Sequence, residues 1–299
     1  RVVHGGTRYT APTVVDADVE AGIEELSPLA PLHNPANLSG IRALRAQLPD
    51  VPQVAVFDTA FHATIPAVAA TYALPVDVAE KYGVRRYGFH GTSCQYVTRR
   101  VGVDDLIICH LGNGASATAV HQGRSVDTSM GLSPLEGLVM GTRSGDLDPA
   151  VPFHLIRAGL EPAEIESILT KQSGLRGLAG ASDMREVRAR ADAGDAGARL
   201  ALDVYAYRIR KYIGSYLAVV PGVQALVFTA GVGENDAQLR AEVCGPLAHL
   251  GITLDEAANR AATGPSEPVD IGTGTIRVLV VPTDEESEIA TQAAEAVDA

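Results

Sequence analysis

The residues best suited to holding an anion lie at two glycine-rich turns far apart in the chain. An apolar run, Leu106-Ile107-Ile108-Cys109-His110-Leu111, enters the turn Gly112-Asn113-Gly114, and a second strand, Ser116 to Val120, leaves it. Gly-Asn-Gly supplies the positive-φ residues of a tight hairpin. It also strips away side chains, so that backbone N–H groups can approach an anion closely. A plain hairpin is the competing reading of this turn taken alone. Downstream, Leu226-Val227-Phe228-Thr229 enters Ala230-Gly231-Val232-Gly233-Glu234-Asn235, again a buried-looking strand before a helix. Two such turns suggest a nucleotide between them, with phosphates at the first and the nucleoside at the second.

The elements that must position these turns can be read along the chain. Asn34-Pro35 marks an N-cap followed by proline at the first helical position, which predicts a helix to about Leu48. Val2–His4 and Val54–Phe57 read as short strands, and Gly91–Val101 as a helix. A three-stranded antiparallel meander follows, at 106–110, 116–120 and 125–129. Helices are predicted near 149–158, 162–171, 184–193, 196–219, 237–243 and 255–262, with strands at 225–229 and 276–281 and a last helix from about Asp284 to Val297. Three meander strands and two more interleaved with helices predict a mixed five-stranded sheet in an α/β protein. That unit spans about residues 61–285. Upstream only a partial unit is visible, without a meander, so a duplicated architecture is expected whose first copy lacks its beginning. The chain opens without Met, already in strand-like sequence.

Composition narrows the partners. The chain has 299 residues, 46% hydrophobic and 20% charged, enough for two domains of a soluble α/β enzyme. A formal charge of −12 argues against a nucleic-acid backbone as partner, though not against ATP at a local basic site. Three cysteines, Cys94, Cys109 and Cys244, have no pairing or metal-ligand spacing, which fits a reducing, cytoplasmic compartment. No stretch reads as a membrane span or a signal peptide.

The blocks then form a set. Arg1-Val2-Val3-His4-Gly5-Gly6, Leu32-His33-Asn34-Pro35, Phe57-Asp58-Thr59-Ala60-Phe61-His62, Gly88-Phe89-His90-Gly91-Thr92-Ser93, His110-Leu111-Gly112-Asn113-Gly114, Met140-Gly141-Thr142-Arg143-Ser144-Gly145, Ala230 to Asn235 and Pro282-Thr283-Asp284-Glu285-Glu286 resemble, in order, the signature blocks of the acetate kinase family. The resemblance covers essentially the whole chain. It implies the actin-like, sugar-kinase-like ATPase fold with two ribonuclease-H-like lobes, the first incomplete here. Residues 1–60 with 286–299 would form the partial N-terminal lobe, and 61–285 the nucleotide-binding and dimerisation lobe. It further implies a homodimer, Mg²⁺, and reversible in-line phosphoryl transfer between ATP and acetate, giving acetyl phosphate and ADP.

Carried residue by residue, the resemblance assigns Arg1 and Arg143 to the transferring phosphoryl group and the carboxylate, a task that suits their planar, bidentate forks. For an arbitrary loop arginine, a solvated surface group is the competing reading. His90 would donate a hydrogen bond to the phosphoryl group, with His33 in support. Asp58 would be a carboxylate near the metal, and Glu285 would position Mg²⁺, directly or through water; as bare residues, Asp58 reads as a helix cap and Glu285 as a dipole or capping residue. Val3, Leu32, Phe89 and Pro134 match the lining of a small apolar acetate pocket, and Arg1 contacts the same substrate. His110, Gly112, Asn113, Gly114, Asp183, Arg185, Gly231, Gly233 and Asn235 match nucleotide-side positions, although Asp183 and Arg185 read as well as an N-cap and a surface arginine. A propionate or butyrate kinase is the neighbouring reading, since one methylene is worth only about 1–3 kcal/mol. A non-catalytic nucleotide-binding module is the third.

Two departures stand out. Cys94 occupies the place of a family histidine, and Cys94→His is expected to leave stability unchanged or raise it. The family's opening strand and its Asn- and Ser-rich phosphate loop have no counterpart before Arg1, so impaired catalysis with retained nucleotide binding is expected of the chain as it stands.

Overall fold

A computed structural model describes residues 1–31 and 33–298. Its centre is a six-stranded mixed sheet, in the order β5-β4-β3-β6-β8-β7: β3 Leu106–Leu111, β4 Ala115–His121, β5 Arg124–Thr128, β6 Ala225–Thr229, β7 Val269–Asp270 and β8 Arg277–Val280. β3, β4 and β5 form the expected antiparallel meander, and β6 and β8 add in parallel. β3 and β6 are buried along their whole length, which explains their near-continuous apolar sequences, broken within β3 by His110. The sheet has one strand more than the sequence reading gave. β7 is two residues long, antiparallel to β8, and too short to carry a periodicity.

Helices cover both faces. The long helix Ala196–Val219 buries Ala198, Ala201, Leu202, Tyr205, Ile209 and Ile213 in the larger core with the β3, β4 and β6 side chains. The helix Gly91–Val101 covers the other face through Cys94 and Val97, which pack with Leu106, Ile108, Val227 and Leu279. Among the described residues Arg240 is the largest fully buried side chain, and no carboxylate forms an ion pair with it. Its guanidinium donates instead to Asn259 Oδ1 and to the carbonyls of Gly233, Asn259 and Ala262, at 2.7–2.8 Å.

Residues before the meander build a smaller body. β1 Thr13–Val14 pairs antiparallel with β2 Val54–Ala55. A third core of Val2, Tyr9, Val19, Ile23, Leu38 and Phe57 lies with them, with Tyr9 stacked on Phe57 at 4.9 Å. This corrects the sequence reading in two places. Val2–His4 is not a strand but one isolated parallel bridge, Val2 to Phe57, and the partner of β2 is the unpredicted Thr13–Val14. The helix Asn34–Gln47 forms, but its N-cap is His33 rather than Asn34: Asn34 is its first residue and locks the helix to the N-terminal segment by accepting from His4 N and donating to His4 O. The last helix, Glu285–Asp298, packs against Gly91–Val101 and against β1 and β2, so it joins the smaller body to the larger.

Candidate active site

Three segments bring the first group of side chains together. Asp58 follows β2, and its backbone N–H donates to Val2 O, which sets Arg1 beside it. The Arg1 guanidinium lies 3.1 Å from Asp58 Oδ2 and also pairs with Glu285 at the start of the last helix. Asp58 is buried, and its Oδ1 accepts from Thr92 Oγ1 at 2.8 Å. Burial raises the pKa of both Asp58 and Glu285, and Arg1 opposes the rise in each.

His90 stands where the chain turns into the helix Gly91–Val101. It takes a left-handed conformation, φ 60°, unusual for a residue with a side chain. The helix begins tight against Asp58: Gly91 N–H donates to Asp58 O at 2.9 Å, and a Cβ at Gly91 would collide with that carbonyl. The His90 ring stacks on His110 with centroids 4.2 Å apart. His90 Nδ1 bonds Ser116 Oγ at 2.9 Å; His110 Nδ1 bonds Ser93 Oγ at 2.8 Å, and Ser93 in turn bonds Thr283 Oγ1 at 2.7 Å. Burial holds both rings neutral. The His110 pKa is pushed down to about 4, and that of His90 lies well below its ordinary value, with His110, Arg143 and Arg1 adding to the effect of burial.

Arg143 reaches the same place from its glycine-flanked loop. Its Nη1 donates to Pro134 O at 2.6 Å, and among the described residues no carboxylate pairs with it. A Cβ placed on Gly114 would lie 3.0 Å from Arg143 Nη2 and 3.3 Å from His90 Nε2. Gly114 is therefore the gap through which the guanidinium and the imidazole approach each other. His33 is exposed, ahead of the helix Asn34–Gln47; burial lowers its pKa first, and Arg143 and Arg1 lower it further.

Beside Gly112 and Asn113 opens a cavity of about 970 Å³, whose lining does not include Gly114. Gly112, Asn113, Asp183, Arg185, Gly231 and Asn235, all expected on the nucleotide side, line it. Gly141 N–H donates to Asn113 O at 3.1 Å and so joins the Arg143 loop to the first glycine turn. Ala230, at φ 64°, turns β6 into the short helix that forms the opposite wall. Asp183 caps the helix Met184–Asp192 and is chelated by Arg185, which pushes its pKa down to about 2; both side chains stay at the cavity's exposed edge. The two readings left open for this pair thus hold together: it is a cap and it lines the cavity.

Some expected residues sit elsewhere. Gly233 is buried against Phe228 and Cys109 rather than lining the cavity, and its carbonyl accepts from Arg240. His110 belongs with His90 rather than with the cavity wall. Val3 is half-buried, with its N–H on Asn37 Oδ1, and Phe89 is buried edge-on to His4. Leu32 lies outside the described residues. The sequence reading missed Ser116, Thr92 and Thr283, which hold the histidines and Asp58, and Leu175, Met184, Arg188 and Tyr205 in the cavity wall. For Thr92 and Thr283 the signal was present, because both lie within blocks already singled out. Ser116 becomes legible only through the β3–β4 register, which sets it opposite His110.

Among the described residues no helix is long and apolar enough to cross a membrane, and no group of three or more His, Cys, Asp or Glu could hold a metal on its own. The chain is 58% identical to an acetate kinase of Leifsonia xyli, over 100% of this chain and 78% of that one, and 57% identical to one of Streptomyces avermitilis, over 98% and 74%. The fold superposes on the crystal structure of Porphyromonas gingivalis acetate kinase with a TM-score of 0.95 at 45% identity, covering 99% of this chain and 77% of that one. On a propionate kinase from Francisella tularensis it gives a TM-score of 0.94 at 42% identity, covering 99% and 78%. The Acetokinase family model matches residues 1–291, a span that contains every side chain of the cluster around Gly114, and the chain belongs to that family.

Proposed function

We propose that this chain is an acetate kinase, transferring a phosphoryl group reversibly between ATP and acetate. One observation carries the reading: Arg143 and His90 converge on Gly114, the residue that follows Gly112 and Asn113 of the nucleotide-sized cavity's wall. An acetate oxygen would attack the γ-phosphorus as its bond to the bridging oxygen of ADP breaks, so the protein's work is alignment and charge stabilisation. Arg143 meets both demands with a desolvated guanidinium that has no protein carboxylate to neutralise it. His90, held neutral, donates a hydrogen bond to an equatorial phosphoryl oxygen. Arg1 approaches from the opposite segment, where it also orients the acetate carboxylate. His33 supports the pocket, and Pro134, whose carbonyl accepts from Arg143, lies on its apolar side with Val3 and Phe89 behind. The nucleotide lies along Gly112, Asn113 and Gly114, with its nucleoside between Asp183, Arg185 and the turn at Gly231 and Asn235.

Asp58 and Glu285 fit a bound Mg²⁺: both are oxygen donors already turned toward one cationic group, Arg1, and two carboxylates with phosphates and water make an ordinary set for this ion. When bound, the ion neutralises phosphate charge. The two carboxylates orient it, while Thr92 fixes Asp58.

The lobe division, 1–60 with 286–299 and then 61–285, belongs to this proposal. It is supported by the separate core around Val2, Ile23 and Phe57. A homodimer accounts for exposed Val151, Phe153 and Ile156 on the short helix Ala150–Arg157 and Leu200 and Tyr207 on the long helix Ala196–Val219. A cytoplasmic location fits three buried, unpaired cysteines. The test is acetyl phosphate formation with acetate, propionate and butyrate in parallel. The reading requires acetate to give the highest kcat/KM, and a propionate optimum would transfer the assignment to the neighbouring activity. Sedimentation would read the dimer.

A further inference from the structure

We propose that Ser116 sets the tautomer of His90, so that its proton is carried on Nε2, the nitrogen that faces Arg143 across Gly114. The argument is one of hydrogen-bond satisfaction. Ser116 is fully buried on β4, and among the described residues its hydroxyl meets a single partner, His90 Nδ1 at 2.9 Å. A hydroxyl has one proton to donate, and a neutral imidazole has one donor and one acceptor nitrogen. If Nδ1 carried the proton, the Ser116 hydroxyl would accept it, and its own O–H would be buried with nowhere to go. If Ser116 donates to Nδ1, the buried hydroxyl proton has its acceptor and Nε2–H is left facing the gap. A buried donor left without an acceptor is costly, and that cost favours the tautomer with its proton on Nε2.

The geometry makes the choice matter. His90 Nε2 and Arg143 Nη2 lie 3.3 and 3.0 Å from the same point, a Cβ position on Gly114. An anion in front of that point meets two donors only when Nε2 bears the hydrogen. With the other tautomer it meets a lone pair. Ser93 cannot play the same part for His110 with equal certainty of direction, because its hydroxyl has two partners, His110 and Thr283, and the chain can run either way. Ser116 is thus a positioning residue: it touches no substrate and acts through His90.

This inference rests on the kinase reading for its consequence but not for its test. Long-range ¹H–¹⁵N spectra of the full chain, with His90 assigned through a His90→Gln spectrum, report which ring nitrogen is protonated. The parent should show His90 in the Nε2–H form alone, and Ser116→Ala should show both forms. In the acetate assay, Ser116→Ala should lose roughly tenfold in kcat, a fraction of the roughly 10²–10³ lost when a transition-state donor is removed outright. KM for ATP and for acetate should stay within about twofold. A parent spectrum with Nδ1 protonated, or a Ser116→Ala spectrum identical to the parent's, overturns the proposal. So does a loss confined to KM. If the parent makes no acetyl phosphate, the kinase reading falls while the spectra still decide the role of Ser116.

Discussion

His90 and Arg143 face each other across a residue with no side chain: a methyl group on Gly114 would come within 3.3 Å of the imidazole Nε2 and 3.0 Å of the guanidinium Nη2. Gly114→Ala should therefore fill the space meant for the reacting group while disturbing little of the core. We expect kcat/KM to fall about a hundredfold, in line with the cost of displacing aligned groups by about an ångström. Tm should move by only a few degrees. Parental turnover in this variant would show that the gap is not where chemistry occurs.

Arg143→Ala should act on the transition state rather than on nucleotide affinity. Its guanidinium is held by Pro134 O and has no ion pair to lose, so stability should change little. A drop in kcat of about 10²–10³ with ATP KM within a few-fold is the expected pattern. A large rise in ATP KM with unchanged kcat would move Arg143 to the nucleotide side.

Glu285→Ala should raise the Mg²⁺ concentration needed for half-maximal activity. In the free protein this carboxylate is paired with Arg1, as Asp58 is, so its removal leaves Arg1 one strong partner and folding nearly intact. An unchanged Mg²⁺ half-saturation would leave Glu285 as the acid of a helix's first turn and nothing more.

Cys94 corrects an expectation. The sequence suggested that a histidine there would be neutral or stabilising. Instead Cys94 is fully buried, with its Sγ donating to Thr118 Oγ1 at 3.5 Å and its thiol pKa pushed up by burial to about 12. The pocket is built around a thiol, and an imidazole would overpack it. Cys94→His should cost about 1–3 kcal/mol, read as a fall in denaturation midpoint. An unchanged midpoint would mean that the two core faces separate more easily than their packing suggests.

Acid should destabilise the fold early. Burial pushes the pKa of His4, His62 and His110 down to about 4, while the unfolded chain titrates near 6.5. Between those values the unfolded state binds protons that the native state refuses, so stability is full above about 6.5 and is lost as pH falls toward 4. Asp58 and Glu285 work the other way, since raised carboxyl pKa values favour the native state as pH falls. Three histidines outweigh two carboxyls across pH 7 to 5. Tm by calorimetry should drop steadily over that range; a flat profile would require these rings to take up protons in the native state as readily as in the unfolded one.

How much was legible follows from the length of each signal. β3 and β6 announce themselves as near-continuous apolar runs, and Asn34-Pro35 marks a helix start that the structure keeps. β1 and β7 are two residues each and owe their existence to a partner, β2 and β8, supplied from elsewhere in the chain. Val2 looked like part of a strand because it is apolar and buried, yet it makes only a bridge. In the site, Asp58, His90 and Arg143 could be named because they sit in distinctive blocks. That Gly114 separates two of them, or that Ser116 serves His90, depends on register and on how β4 packs beside the Gly91 helix, which no local pattern encodes.

Arg240 sets a limit on how this protein can change over generations. Among the described residues no carboxylate pairs with it, Asp236 acting only at a distance; its guanidinium is accommodated by three backbone carbonyls and one amide, all of which point inward to receive it. A lysine offers one ammonium to a cradle shaped for a fork, and any neutral replacement strands several acceptors at about 1–3 kcal/mol each. Against a total margin of about 5–15 kcal/mol, that is most of what keeps the chain folded. The position cannot drift by small steps, since backbone acceptors cannot mutate away. Descendants of this sequence should keep an arginine here even where the surface around it has been rewritten, unless the whole segment from Gly233 to Ala262 is rebuilt at once.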